Sequence, residues 1–419
     1  MKTDIAIIGG GAAGLSAALS AHDPNISILV IEREKTLGGI LNQCIHNGFG
    51  LHVFKEELTG PEYAARFIQT FLDKKIDFKL HTTVLDIKKE QDFVLTVSSL
   101  EQGMETIHAK AVILSSGCYE RTRGSIQIPG ERPKGIMPAG SAQRYLNMEG
   151  FLVGKRIFIL GSGDIGLIMA RRMTLEGAKV LGVAEIMPYS NGLTRNIVQC
   201  LDDFDIPLYL SHTVTDIRGK DVLEGITIQK VDEYYKPIPG TELNFEVDTL
   251  LLSIGLIPDI SLFESLQIQK SPVTKSAVVN QFYETNIEGL FVCGNALHVH
   301  DLVDWVTEES EKAGHCAKHY ILSGASENRN EVSVKPGNGI RYVVPQLIDF
   351  SRNEIPIELS FRVTKKMEQG IFKVYQNNVL IKTKKAKYIA PAEMEHLLIK
   401  PNEFISKDPI ELVLEEVVS

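Results

Sequence analysis

Thr3-Asp-Ile-Ala-Ile-Ile-Gly-Gly-Gly-Ala-Ala-Gly14 is the stretch whose reading decides the fold of this chain. Asp4 to Ile8 is a short, mostly apolar run of strand length, and it ends in Gly9, Gly11 and Gly14, a G-x-G-x-x-G. The small-residue run Ala12 to Ala21 that follows is predicted to be helix. The first glycine permits a tight turn, the second lets backbone approach a pyrophosphate, and the third lets helix and strand pack closely. Phosphates then meet free N–H groups at the positive end of the helix. Ile26 to Ile31 is the next strand, ended by Glu32 eighteen residues after Gly14. A carboxylate there can accept hydrogen bonds from an adenosine ribose. An ordinary glycine-rich turn would share the glycines, but not strand, helix, strand and terminal acid together. We therefore expect a dinucleotide site.

The pattern recurs. Lys155 to Leu160 reads as a strand, Gly161-Ser-Gly163-Asp-Ile-Gly166 as the turn, and Ile165 to Glu176 as the helix. Lys179 to Ala184 is the following strand, and Glu185 ends it nineteen residues after Gly166. The same argument predicts a second dinucleotide site. A carboxylate on the ribose 2′-OH repels a 2′-phosphate, and no Arg or Lys lies between 186 and 194 to receive one. NAD is expected over NADP.

A chain of 419 residues is too long for one core and suggests two or three domains. Its 44% hydrophobic and 23% charged content are those of a globular protein. The formal charge of −9 argues against a nucleic-acid or anionic-membrane partner. Lys382, Lys384, Lys385 and Lys387 gather locally, and a solvated strand face explains them better than a binding patch. No apolar run reaches the roughly 18 to 20 residues that span a bilayer. The N-terminal apolar segment carries four glycines and already serves as strand and helix, so it is not read as a signal peptide. A cytoplasmic location is expected. Cys44, Cys118, Cys200, Cys293 and Cys316 are scattered, with no C-x-x-C or C-x-x-x-x-C to make a redox dithiol or a metal clip. That usage fits a reducing compartment.

Elsewhere, Pro61 to Lys74 is predicted as an amphipathic helix, and Phe78 to Ile87 and Phe93 to Ser98 as alternating strands. Ala111 to Leu114, running into Ser115-Ser116-Gly117, reads as a buried strand of the first sheet. Asp248 to Ser253 is a further strand, followed by Gly255, which we place among the cofactor-binding positions of the second half. Leu290 to Cys293 opens into Gly294-Asn295, and Asp304 to Tyr320 follows as a helix with its acids early. Beyond about residue 335 the pattern turns to strands and turns alone: Ile357 to Val363, Phe372 to Tyr375, a Gln376-Asn-Asn turn, Val379 to Lys382, and Pro409 to Val417. This predicts a small β-sandwich. It holds no cysteine, so it cannot carry a thiolate-ligated iron–sulfur cluster.

In this order the motifs resemble the two-dinucleotide-binding flavoproteins of the pyridine nucleotide–disulfide oxidoreductase superfamily, over about residues 1–325. The resemblance implies that Gly9, Gly11, Gly14 and Glu32 bind FAD, and that Gly161, Gly163, Gly166 and Glu185 bind the nicotinamide cofactor. Gly38-Gly39 follows the ribose acid as in the family, and Val84 falls where a backbone contact to adenine is made. Gly117 ends a segment matching the family's Ala-Thr-Gly, with Ser115-Ser116 in place of the first two. Thr285 to Asn295, with Gly294, resembles the late motif whose last residue hydrogen-bonds the flavin ribityl chain. That residue is usually Asp; Asn295 keeps an acceptor and loses the charge. The implied fold is α/β, with two Rossmann-like three-layer FAD/NAD(P)-binding domains and a C-terminal all-β, immunoglobulin-like sandwich. The expected domains are FAD-binding 1–125 with 280–330, NAD-binding 126–279, and the sandwich 335–419.

Gly-Gly-Ile-Leu-Asn-Gln-Cys-Ile-His-Asn-Gly-Phe-Gly-Leu from Gly38, and Glu185-Ile-Met-Pro-Tyr, look closest to one branch of the superfamily. That branch supplies FAD/NAD subunits of multi-subunit dehydrogenases of the glycerol-3-phosphate dehydrogenase-associated, opine oxidase, dye-linked proline dehydrogenase and hydrogen cyanide synthase types. The resemblance implies hydride exchange between NAD(H) and FAD, with a second flavoprotein or dehydrogenase subunit as partner. Most of the superfamily continues to a cysteine pair beside the flavin. That pair is missing here, and disulfide exchange needs a second thiol. Cys44 offers an alternative, a self-contained NADH oxidase or peroxidase, although a structural thiol is the plainer reading. A nucleotide-binding scaffold without chemistry is the reading from another class. Asn42, Gln43 and His46 read as turn or packing residues before ring contacts, and Glu120 with Arg121 as cleft-lining groups or an ion pair. The start of the late helix, Asp304-Trp305-Val306, would point N–H groups at a reduced flavin. No general acid or base is identified, and hydride transfer requires none: the protein positions two rings about 3 to 3.5 Å apart.

Overall fold

The structure is a computed structural model that describes residues 1–324, 329–352 and 355–416. Val417, where the last expected strand ends, lies outside the described residues, as do 325–328 of the expected first domain. The chain divides into two compact units: Met1–Asn42, Asn47–Cys118 and Pro258–Ser419 form the first, and Gln43–His46 with Tyr119–Ile257 form the second.

In the first unit, Lys2–Ile8 sits between Ile28–Ile31 and Gly103–Leu114, parallel to both, with Asp77–Lys79 and Leu290–Val292 extending the parallel set. Ile8 is level with Ile31 and with Leu114, and Leu114 with Val292. Four strands therefore end at one edge, where an open parallel sheet binds its ligand. Their cores are continuous apolar runs, with Ile5, Ile7, Val30, Val112 and Ile113 fully buried, as parallel strands covered on both faces require. Gly103–Leu114 spans twelve residues, longer than the apolar run predicts. Its first half pairs antiparallel with Phe93–Ser99, which pairs in turn with Thr82–Lys89.

The single strand expected over 78–87 is two, Asp77–Lys79 and Thr82–Lys89. His81 breaks it with a φ of 49° and donates its N–H to Glu34 O at 3.0 Å. Ala12–Ala21 is helical, and its small side chains have a packing reason. The late helix, Val303–Ser323, approaches so closely that a Cβ on Gly314 would stand 2.2 Å from Ala17 O.

Among the described residues, the C-terminal segment, counted with this unit, holds strands and two short 3₁₀ turns and no α-helix. A five-stranded and a three-stranded sheet share a core of their own, with Phe361 and Phe372 packed edge-on at 4.9 Å. The predicted turn joins Met367–Gln376 to Val379–Ile389 through Asn377 and Asn378, both with positive φ, as a two-residue hairpin prefers.

The second unit repeats the scheme in smaller form. Ile136–Pro138, Thr249–Leu252, Arg156–Leu160, Lys179–Glu185 and Leu208–Leu210 make one parallel sheet. A three-stranded antiparallel sheet, His212–Arg218, Gly225–Lys230 and Leu243–Phe245, accompanies it. Leu160 is level with Ala184 and with Leu252, so these ends also share an edge. Ile136–Pro138 and the helix Ala139–Glu149 are not among the elements expected from the sequence. The strand is three residues long and ends in proline, and the helix exposes Tyr145 and Met148.

Candidate functional site

Each sheet edge delivers a glycine loop. Gly9 turns with φ 106° and Gly161 with φ 98°, conformations that L side chains avoid. A Cβ on Gly14 would lie 1.8 Å from Gly9 O, so the helix can start this close to the strand only with glycine there. Gly11 and Gly163 are the N-caps of Ala12–Ala21 and Asp164–Leu175 and have no side chain to cap with; in the second helix Ser253 Oγ accepts the Gly166 N–H at 3.1 Å, and the first helix is left open. A Cβ on Gly11 would meet nothing nearer than 3.8 Å. Uncapped N–H groups beside open space on a glycine loop are what a pyrophosphate needs, so the residues present fit a dinucleotide.

The acids do more than the spacing foretold. Glu32 is buried, and its Oε2 accepts the Gly10 N–H at 2.7 Å while Oε1 accepts the Glu34 N–H at 2.8 Å. Glu185 is equally buried. Its Oε2 accepts the Ser162 N–H at 3.0 Å and the Ser162 hydroxyl at 2.7 Å, and its Oε1 accepts the Met187 N–H at 3.0 Å. Each carboxylate thus pins the second residue of its own loop and the N–H two residues beyond itself. Two oxygens with about four acceptor sites leave room for ribose hydroxyls as well.

The remaining first-unit candidates gather unevenly. Gly38 donates its N–H to Gly10 O at 2.8 Å, and Gly39 packs against Gly11. Gly294 lies against Ala13 at the start of the first helix. Asn295 takes the His300 N–H on Oδ1 at 2.9 Å and turns its Nδ2 toward Cys118 Sγ at 3.8 Å. Ser115, where the family pattern has Ala, bonds its hydroxyl to Ile8 O at 2.9 Å and Gly9 O at 3.1 Å, bracing the turn. Gly117 accepts the Asp259 N–H at 3.0 Å. Val84 is a buried strand residue paired across to Val97; its strand begins with Thr82, whose N–H reaches Glu32 O at 3.0 Å. In the second unit, Gly255 accepts the Arg121 N–H at 3.0 Å. There Ser190 to Leu193 folds over the loop, with Asn191 N–H on Ser162 Oγ at 3.1 Å and Leu193 N–H on Asp164 Oδ1 at 2.8 Å.

Two carboxylates have roles that the sequence reading missed. Asp304, buried at the start of the late helix, accepts from Gly50 N at 3.2 Å, His52 N at 3.1 Å and Val53 N at 2.8 Å, and so clamps that loop. Trp305 packs between His52 and His396. Glu120 caps Ala139–Glu149 through Gly140 N at 2.7 Å and Ser141 N at 3.1 Å, and burial raises its pKa above the usual carboxylate range. Asn42 holds its own turn through Leu37 O at 2.9 Å, and buried Gln43 bonds Gly140 O at 3.0 Å, the packing roles expected of both. None of the five cysteines is in a disulfide, and burial pushes the Cys44 thiol up to about 12.

The profile of the pyridine nucleotide-disulphide oxidoreductase family matches residues 3–309, and the chain belongs to that family. It is an FAD/NAD(P)-dependent oxidoreductase, a nucleotide-binding flavoprotein. Its similarity to individual members is spread wide. Hydrogen cyanide synthase subunit HcnB of Pseudomonas protegens is 24% identical over 290 residues, which cover 64% of this chain and only 60% of that protein. Thioredoxin reductase of Bacillus subtilis is 26% identical over 326 residues, 76% of this chain and 94% of that one. The crystal structure of T. acidophilum thioredoxin reductase covers 77% of this chain and 99% of its own, with a TM-score of 0.64 at 24% identity, and so shares the fold. No helix among the described residues is long and apolar enough to cross a membrane.

Proposed function

We infer that the chain exchanges a hydride between NAD(H) and FAD, as the nicotinamide-reactive subunit of a larger dehydrogenase. The observation that carries this reading is the repeated loop: two helices that start on glycine turns with no N-cap side chain of their own, each loop pinned by a buried acid. FAD is assigned to Gly9, Gly11, Gly14, Glu32, Gly38, Gly39, Val84, Gly117, Gly294 and Asn295, and NAD to Gly161, Gly163, Gly166, Glu185 and Gly255. When bound, the flavin accepts or returns the hydride; the chain's residues position it. NAD is favoured over NADP because Glu185 sits buried at the ribose position with no Arg or Lys in 186–194.

The partner subunit would oxidise a small hydroxy- or amino-acid substrate or glycerol 3-phosphate. Support comes from the scattered cysteines, which include no C-x-x-C or C-x-x-x-x-C to form a redox disulfide, and from similarity to a protein that is itself a subunit. The segment from about 335 is read as an immunoglobulin-like sandwich. Self-contained peroxidase chemistry is less favoured, because a thiol held near 12 supplies almost no thiolate. Stopped-flow mixing of the purified flavoprotein with NADH is the test. The oxidised-flavin band bleaches if the reading is right; an unbleached band overturns it in favour of a scaffold.

A further inference from the structure

We propose that His298, His300 and Glu309 form a binding site for one divalent transition-metal ion, zinc before others, with one ligand atom from each. These atoms all lie within 4.8 Å of one another. Asn295 Oδ1 accepts the backbone N–H of His300 at 2.9 Å, which fixes which end of that amide is oxygen. His300 Nδ1 stands 3.3 Å from the same oxygen and therefore carries the ring hydrogen. In the neutral ring, Nε2 is then a bare lone pair, 3.4 Å from Glu309 Oε2. The two side chains are only 2% and 7% exposed, so bulk solvent does not screen these acceptors from each other.

A positive species belongs between them, and the distance selects its kind. A charge-assisted N–H···O bond closes to about 2.7–2.9 Å. Two ligands of a tetrahedral ion with bonds of about 2.0–2.1 Å stand about 3.3 Å apart. The observed separation is the second. His298 Nε2 stands 2.7 Å from the same Oε2, a hydrogen-bond length, so the ion would replace the hydrogen shared there and widen that gap. Among the described residues its Nδ1 has no partner, so hydrogen bonds alone do not offset the burial of this ring. Two of the three ligands are braced from behind: Glu309 Oε1 is held by Gly294 N–H at 2.7 Å, and His300 Nδ1 by Asn295.

Beside His300 and Glu309 lies a cavity of about 10 Å³, lined also by Tyr283, Trp305, Glu358 and His396, which has room for one water. Two histidines, one carboxylate and one water complete a four-coordinate shell. Iron(II) on the same donors keeps more open positions than this cavity allows. The bound ion would tie the Gly294–Ala296 turn to the late helix.

The test uses the full-length flavoprotein, dialysed against EDTA and titrated with zinc chloride by calorimetry, with metal content read by mass spectrometry. One zinc per chain is expected, with affinity reduced about 100-fold or more in His300→Gln and in Glu309→Gln. Cobalt(II) gives a readout that needs no variant. Intense d–d absorption marks a four-coordinate site with nitrogen ligands, and weak six-coordinate bands mark casual surface binding. No stoichiometric zinc, or a weak cobalt spectrum, overturns the proposal and leaves a proton-bridged His–Glu cluster. Unaltered binding in both variants overturns it equally. None of these readouts depends on hydride transfer, so the proposal stands or falls apart from the reading of function.

Discussion

Glu32 Oε2 accepts the backbone N–H of Gly10 at 2.7 Å, inside the glycine loop that Glu32 was expected to serve only through a bound ribose. The acid therefore shapes the loop before any ligand arrives. Replacing it by Gln leaves one oxygen for two N–H donors, Gly10 and Glu34. The lost charge-assisted bond is worth about 1–3 kcal/mol. We expect Glu32→Gln to bind FAD about 10- to 100-fold more weakly, measured by calorimetry on the flavin-stripped protein. Affinity equal to that of the unaltered chain would mean that the carboxylate does not organise the loop.

Glu185 makes the matching bonds to Ser162 and Met187, and the proposed preference for NAD rests on its charge. Glu185→Gln keeps the shape and removes the repulsion of a 2′-phosphate. The ratio of kcat/KM for NADH over NADPH should fall about tenfold, equivalent to about 1.4 kcal/mol. A ratio that does not move assigns the preference elsewhere.

What was legible in the sequence was what the chain encodes locally. The glycine spacing, the strand before it and the acid after the next strand lie within one βαβ segment, and both copies formed. What was hidden depends on partners far along the chain. Asp304 reads as the first acid of a helix, yet its partners are Gly50, His52 and Val53, about 250 residues earlier. Glu120 reads as a cleft or ion-pair residue, yet it caps a helix that begins near Gly140. The alternation over 78–87 is real, but pattern alone does not show that His81 takes a positive φ and splits it. His298, His300 and Glu309 are close in sequence; only the turn at Gly294–Ala296 and the first turns of the late helix fold them together.

The Asp304 clamp is testable by exchange. Asp304→Ala strips three backbone N–H groups of their buried acceptor, a loss of about 3 kcal/mol. Amide hydrogens of Gly50, His52 and Val53 should lose protection while those of Lys2–Ile8 keep theirs. Asp304→Asn retains one acceptor and should fall between. Uniform loss across the sheet would point to global destabilisation instead.

Cys44 separates the two enzyme readings. With its thiol at about 12, the thiolate fraction at pH 8 is about one part in ten thousand, so alkylation by iodoacetamide should be slow in the folded chain. Cys44→Ser should leave peroxide-dependent NADH consumption unchanged. A clear loss of that activity would restore the peroxidase.

Glu358 predicts a pH dependence. On the strand Ile357–Val363, it faces His396 Nδ1 at 3.5 Å and pairs with Lys312 of the late helix, joining the C-terminal sheets to the first domain. The His396 bond, then the lysine, outweigh burial and hold its pKa down to about 2, against about 4.3 when unfolded. Between these values the unfolded chain binds more protons, so stability rises with pH. The contribution is complete above about pH 4.3 and is lost as pH falls through about 2. At 1.36 kcal/mol per unit the shift sets a ceiling near 3 kcal/mol, and a carboxylate 28% exposed should deliver about 1–2. Urea unfolding of Glu358→Gln against the unaltered chain should show that deficit at pH 6 and only about a quarter of it at pH 2.5. A deficit that stays constant across the range would assign the residue's effect to packing rather than charge.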